Sequence, residues 1–143
     1  MEAKTILVAI DFQEASLEAW AVARDLAQRL GLRVVGLHVY TMPMVVYPGF
    51  EPIIAPGFSA EVEATAKRAM DRFATSQGGM TPLVRSGDPT TEILKAIDEI
   101  KPAMVVLGTH GRKGLEHLLL GSVAERVVRS CSVPVLTVHA NAG

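Results

Sequence analysis

Apolar runs of strand length alternate along this chain with stretches whose apolar positions recur every three or four residues, and that alternation restricts the possible folds more than any other feature. Residues 5–10 (TILVAI) form a β-branched run that stops at Asp11. From Glu14 the period changes: Ala19, Val22, Ala23, Leu26, Ala27 and Leu30 share one helical face, and Gly31 predicts the helix end. Residues 33–40 (RVVGLHVY) read as a second strand. Residues 41–58 carry four prolines, at 43, 48, 52 and 56, a density that forbids a regular helix and predicts an apolar loop.

Helical character resumes over 59–76, with Ser59 as the expected N-cap and Val62, Ala66, Ala69, Met70 and Phe73 inward. Residues 80–85 give a third strand, Gly87-Asp88-Pro89 a turn, and 90–100 a helix with Ile93, Leu94 and Ile97 inward. Residues 103–107 (AMVVL) and 133–138 (VPVLTV) are the fourth and fifth strands, with Val123, Ala124, Val127 and Val128 marking a helix between them. Continuously apolar strands separated by helices imply a parallel sheet covered on both faces. Right-handed crossovers then give an α/β fold with a doubly wound, open, five-stranded parallel sheet. In such sheets a ligand sits beyond the carboxyl ends of the strands, where the winding direction reverses.

The 143 residues fit one domain, 1–143. A net charge of −1 and a pI near 6.4 offer no long-range field for DNA or RNA, so no nucleic-acid partner is expected. Cys131 is the single cysteine, which excludes an internal disulfide and a cysteine-rich metal site and predicts a small buried apolar residue. The N-terminal MEAKTILVAIDF has an acid at position two and too short an apolar run to span a bilayer. It predicts neither signal peptide nor membrane helix, and hence a cytoplasmic protein.

The stretch GTHGRKGLEHLLLGS, 108–122, follows the fourth strand directly and therefore lies at the carboxyl edge of the sheet. Gly108 there is expected to admit close backbone approach to a ligand and positive φ, which costs other residues about 1–2 kcal/mol; Gly111 and Gly114 extend that freedom. Gly121-Ser122 opens the next helix, whose unpaired N–H groups and positive dipole end suit phosphate oxygens. His110, Arg112, Lys113 and His117 against Glu116 make a local basic spot, with Arg112 and Lys113 as outer phosphate partners. The stretch is neither a G-x-G-x-x-G dinucleotide loop nor a P-loop with its G-K-[ST] ending, so kinase or motor chemistry has no support. Asp11 reads either as a carboxylate of the helix-start turn or as a ligand group, and His38 as a core or strand-end residue.

The spacing G-x2-G-x9-G-S, borne by Gly108, Gly111, Gly121 and Ser122, resembles the ATP-binding signature of the universal stress protein family. The likeness extends through ILVAIDF, GLHVY, GDPTTEIL and GSVAERVVRSCSVPVLTV. It implies strand order 3-2-1-4-5, a Rossmann-like arrangement of the adenine nucleotide α-hydrolase kind that brings the ends of strands one and four together. It also implies that Ala9, Ile10 and Asp11 approach the nucleoside and Val39 offers main-chain contacts to adenine. Gly108, Gly111, Arg112, Gly121, Ser122 and Val123 would hold ribose and phosphates. ATP, or else ADP or AMP, would be the nucleotide, with magnesium or manganese on its phosphates and no ligand set of protein side chains. Relatives commonly carry serine two residues after the aspartate, where this chain has Gln13; Ser16 is kept.

Three functional classes follow. The leading one is an ATP-binding, nucleotide-dependent stress-response regulator or sensor. The others are a stress protein of the same fold acting through a protein partner without nucleotide, and a slow ATPase. No residue is visibly placed to orient an attacking water, so no catalytic residue is assigned and at most slow hydrolysis is expected. The fifth strand is too apolar for an open sheet edge, and with the family resemblance it predicts a homodimer through Val135, Leu136, Thr137 and Val138.

Overall fold

The computed structural model describes residues 4–55, 57–109 and 121–140. The elements run β1 (Thr5–Ala9), α1 (Glu14–Leu30), β2 (Arg33–Tyr40), β3 (Met44–Val45), β4 (Ile53–Ile54), α2 (Ser59–Gln77), β5 (Met80–Ser86), α3 (Pro89–Ile100), β6 (Met104–Thr109), α4 (Ser122–Ser130) and β7 (Val135–His139). Five of the strands form one sheet in the order β5-β2-β1-β6-β7, every pair parallel. This is the 3-2-1-4-5 arrangement implied by the resemblance, once the two short strands are set aside.

The continuous apolarity of β1 has a direct cause. Ile6 and Val8 pack with Ala19, Trp20, Ala23 and Met70 beneath α1 and α2, whereas Leu7 packs with Ile93, Ala96, Val105 and Val127 beneath α3 and α4. Successive strand side chains point to opposite faces, and here both faces are core. The chain winds outward from β1 through β2 to β5, then crosses back to β6 on the other side of β1, which reverses direction between β1 and β6.

Several local expectations hold and several change. Gly31 ends α1 in the left-handed region at φ 70°. Ser59 is not the cap of α2: Phe58 precedes the helix in near-helical conformation and makes no side-chain capping bond, its carbonyl accepting from the Val62 N–H at 2.9 Å. Asp88, expected only in a turn, caps α3 by accepting from the Thr91 N–H at 3.0 Å, with Pro89 in the first helical turn. Leu30, the last residue of α1, is exposed although it shares the apolar face of that helix, and Val128 of α4 is exposed too. Cys131 is half-buried against the α3/α4 core, its thiol directed to the Val133 carbonyl at 3.1 Å. The 41–58 segment is not wholly a loop, since β3 and β4 form a small antiparallel ladder, Met44 opposite Ile54 and Val45 opposite Ile53.

Candidate functional site

Where β1 and β6 end side by side, a cleft of about 130 Å3 opens at the carboxyl edge of the sheet. Seven of the ten residues expected to bind ligand line it: Ala9, Ile10, Asp11, Val39, Gly108, Gly121 and Val123. Ser122 begins α4 but is not among the lining residues. Gly111 and Arg112, like His110, Lys113 and His117, lie outside the described residues. Among the described residues, Ser16, Leu37, Pro89, Ile93, Leu107 and Ala124 also line it. Pro89 and Ile93 carried a signal for this in hindsight, because α3 follows β5 and its first turn lies at the same sheet edge.

Two compartments meet at Asp11, Ser16 and Gly108. The first, just described, is walled mainly by aliphatic side chains. The second, about 90 Å3, is bounded by Asp11, Gln13, Glu14, Ser16 and Thr109 and is more polar. A flat apolar ring system suits the first and hydrogen-bonding groups the second.

Asp11 serves the helix start and the cleft together. Its Oδ1 accepts from the Gln13 N–H at 2.9 Å, its own N–H donates to Ser16 Oγ at 3.1 Å, and that hydroxyl donates to the Gln13 carbonyl at 3.1 Å. The loss of serine at Gln13 therefore leaves a turn built from Asp11 and Ser16, in which Gln13 supplies main-chain atoms and no side-chain cap. Phe12, between them, adopts φ 64°, a left-handed conformation unusual for a bulky side chain. Its ring is held against His38, at 4.9 Å between centroids, and Phe73, at 5.7 Å. His38 donates from Nδ1 to the Ile10 carbonyl at 2.7 Å, so it is the strand-end residue expected and it ties β2 to the chain leading into the cleft.

The reason for glycine at position 108 differs from the expected one. Gly108 does not take positive φ. A Cβ there would lie 2.5 Å from the carbonyl carbon of Ala15, 2.6 Å from its oxygen and 2.7 Å from the Ser16 nitrogen. The missing side chain makes room for the first turn of α1, and through it for the Asp11–Ser16 turn. Gly121 is likewise extended, at φ −59° and ψ 154°, so neither glycine is needed for left-handed backbone.

At the opposite wall, the first hydrogen bond of α4 runs from the Glu125 N–H to the Gly121 carbonyl at 2.9 Å. The N–H groups of Ser122, Val123 and Ala124 precede it and have no acceptor within the helix. Gly121, the N-cap, has no side chain to cap this end, and Gly121, Val123 and Ala124 border the cleft. The arrangement can accept an anionic group next to an apolar compartment. Among the described residues, no group of three or more His, Cys, Asp or Glu side chains is placed to hold a metal ion, and no helix is long and apolar enough to cross a membrane.

The reversal point and the cleft above it define a doubly wound α/β protein, with its crevice at the place where sheets of this kind take ligands. Residues 2–139 match the model of the universal stress protein family. The chain is 35% identical over 137 residues to a universal stress protein of Thermus aquaticus, covering 95% of this chain and 98% of that one. The chain belongs to the universal stress protein family. Its fold is shared with universal stress protein UspA from Lactobacillus plantarum, at a TM-score of 0.75 and 22% identity, over 96% of this chain and 99% of that one. A universal stress protein solved in complex with cAMP is similar over 99% of this chain and all of its own, with a TM-score of 0.64 and 26% identity.

Proposed function

We propose that this protein binds an adenine nucleotide, ATP in the first instance, in the cleft between β1 and β6, and that occupancy regulates its association with a partner in a stress response. The observation that carries the reading is the convergence of an aliphatic compartment, the Asp11 turn and the N-terminal turn of α4 at Gly121, Val123 and Ala124 on one crevice. Enclosed volume decides how the ligand lies. At about 130 Å3 the compartment falls below the roughly 300–1,000 Å3 of a site that swallows a whole drug-sized ligand. The base is enclosed and the phosphates lie at the mouth. The cAMP complex of a relative supports an adenine ring as the occupant.

The chain's own residues divide the work. Ala9, Ile10 and Val39 enclose the base, Asp11 meets the ribose, and Gly121, Ser122 and Val123 face the phosphates with main-chain N–H groups. Gly111 and Arg112 complete the phosphate side in this reading. A helix N-terminus contributes about 0.3–1 kcal/mol per anionic group and up to about 2 when partly buried. Magnesium or manganese would be carried by the phosphates and not by a protein ligand set. Turnover is slow or absent, and the protein acts as a cytoplasmic regulator, not as an enzyme.

The regulated association is a homodimer through β7, the sheet edge, where Leu136 is exposed and Val135, Thr137 and Val138 are half-buried. An apolar edge strand presents unpaired main-chain groups that a second copy satisfies. Mass spectrometry of the small molecules released on denaturing freshly purified protein tests the binding reading. An adenine nucleotide at near one equivalent is expected; protein that carries none and takes none up from millimolar ATP-magnesium contradicts it.

A further inference from the structure

A second surface stands apart from both the cleft and β7. Between Tyr40 and Ser59 the β3/β4 hairpin turns through Tyr47-Pro48-Gly49-Phe50, closed by the Phe50 N–H on the Tyr47 carbonyl at 3.1 Å with Gly49 at φ 82°. Proline then glycine with positive φ is the sequence and conformation of a type II turn. The tripeptide Pro-Gly-Phe recurs at 56–58, where Gly57 again has φ 82° and the Phe58 N–H reaches the Ala55 carbonyl at 3.3 Å. Each of the two turns holds a phenylalanine outward: Phe50 is 75% exposed and Phe58 53%. Val46, at 68%, and Tyr47, at 55%, flank the first, and Met44, Ile53 and Ile54 are about half exposed.

Neither core cluster contains a described residue of 41–58, so this apolarity lies outside the core that holds the sheet and its helices together. A two-rung hairpin is at best marginal alone in water. Contiguous apolar patches beyond a few hundred Å2 are rare on monomers and mark interaction sites. With aromatic side chains of about 150–250 Å2 each, the exposed fractions, summed over both faces of the hairpin and its turns, amount to an area on the order of the ~800 Å2 that each partner gives to a stable interface, so a second copy must wrap the hairpin and not only cover one face.

We infer that the β3/β4 hairpin is a self-association surface that packs against the same hairpin of a second copy, separately from any pairing through β7. Composition selects this occupant. Glu51 is the single charged residue in 41–58, which leaves no charge pattern to complement a foreign partner and no basic residue to draw the hairpin to anionic lipid. Homodimer interfaces are the most apolar class, and a two-fold contact needs only a self-complementary patch. The two turns, with Gly49 and Gly57 at φ 82°, fix the two phenylalanines beforehand, which lowers the ordering cost of association.

Sedimentation velocity at micromolar concentration on the full chain, compared with Phe50→Asp and Val46→Asp, tests the inference. Both side chains are largely exposed, so unchanged circular dichroism is expected, and two variants guard against one failing to fold. The particle mass should halve in each, while Leu136→Asp should leave a hairpin-mediated dimer that becomes a monomer when Phe50→Asp is added. A monomeric parent chain, or hairpin variants sedimenting with the parent mass, overturns it. So does co-sedimentation of the parent chain with phosphatidylcholine–phosphatidylglycerol vesicles that Phe50→Asp abolishes without altering protein mass, which would assign the patch to lipid. The inference does not depend on nucleotide binding, and ATP-free protein serves for every arm.

Discussion

Adding one methyl group at Gly108 sets a Cβ against the backbone of Ala15 and Ser16, where no flexible side chain can yield. Gly108→Ala should destabilise the protein by about 1–3 kcal/mol, the usual cost of overpacking, read as a lowered urea midpoint. A midpoint equal to that of the parent would mean that α1 does not approach β6 as closely as described. Asp88 offers a second residue-scale test. Its hydrogen bonds from the Thr91 backbone and hydroxyl hold its carboxyl below the usual range. A lowered folded-state pKa stabilises fully above the ordinary carboxylate value of about 4 and is lost as pH falls through the lowered one. Asp88→Ala should therefore melt below the parent at pH 7, with the gap closing as the solution is acidified below that range. A gap independent of pH would detach the effect from the carboxylate. Asp11 was legible from sequence as a choice between two roles; the geometry shows the turn role, through Gln13 and Ser16, and sets the residue at the cleft wall as well.

Among the elements, those with one dominant physical signal were the most legible. β1, β2 and β6 are buried on two sides and so cannot tolerate polar interruption, and α1 is bounded by Asp11 and Gly31, both of which act as their chemistry suggests. The hairpin at 41–58 was not legible, because its prolines argue against a helix without specifying what replaces it, and a ladder of two residue pairs leaves almost no alternation to detect. The start of α2 differs for a related reason: Phe58 enters the helix from a turn with Gly57 at φ 82° that its N–H closes on the Ala55 carbonyl, and its own side chain makes no capping bond. At β7, Leu136→Asp should remove the proposed edge-to-edge contact, because a charge on an edge strand opposes pairing. Analytical ultracentrifugation of this variant on the Phe50→Asp background should give a monomer, and persistence of a dimer there would place the contact elsewhere.

For the molecule as a whole, the winding order does what no single residue can. By reversing direction between β1 and β6 it brings residues 9–11 and Gly108, nearly a hundred positions apart, to the wall of one crevice, and the first turn of α4 borders the same place. The alternation of strands and helices gave a doubly wound sheet, and the family resemblance implied the strand order that brings these ends together, whereas the division into an apolar and a polar compartment required coordinates, since it depends on how α1 packs against Gly108. The account rests on this crevice taking an adenine nucleotide. The most direct measurement is calorimetric titration of ATP-magnesium into protein freed of bound small molecules, beside the Gly121→Val variant. Gly121 has backbone angles that valine can adopt, so the variant should fold while its side chain fills phosphate space. The parent should bind one equivalent with micromolar affinity, about −8 kcal/mol, and the variant should give no binding heat; a silent parent, or a variant with unchanged affinity, contradicts the account.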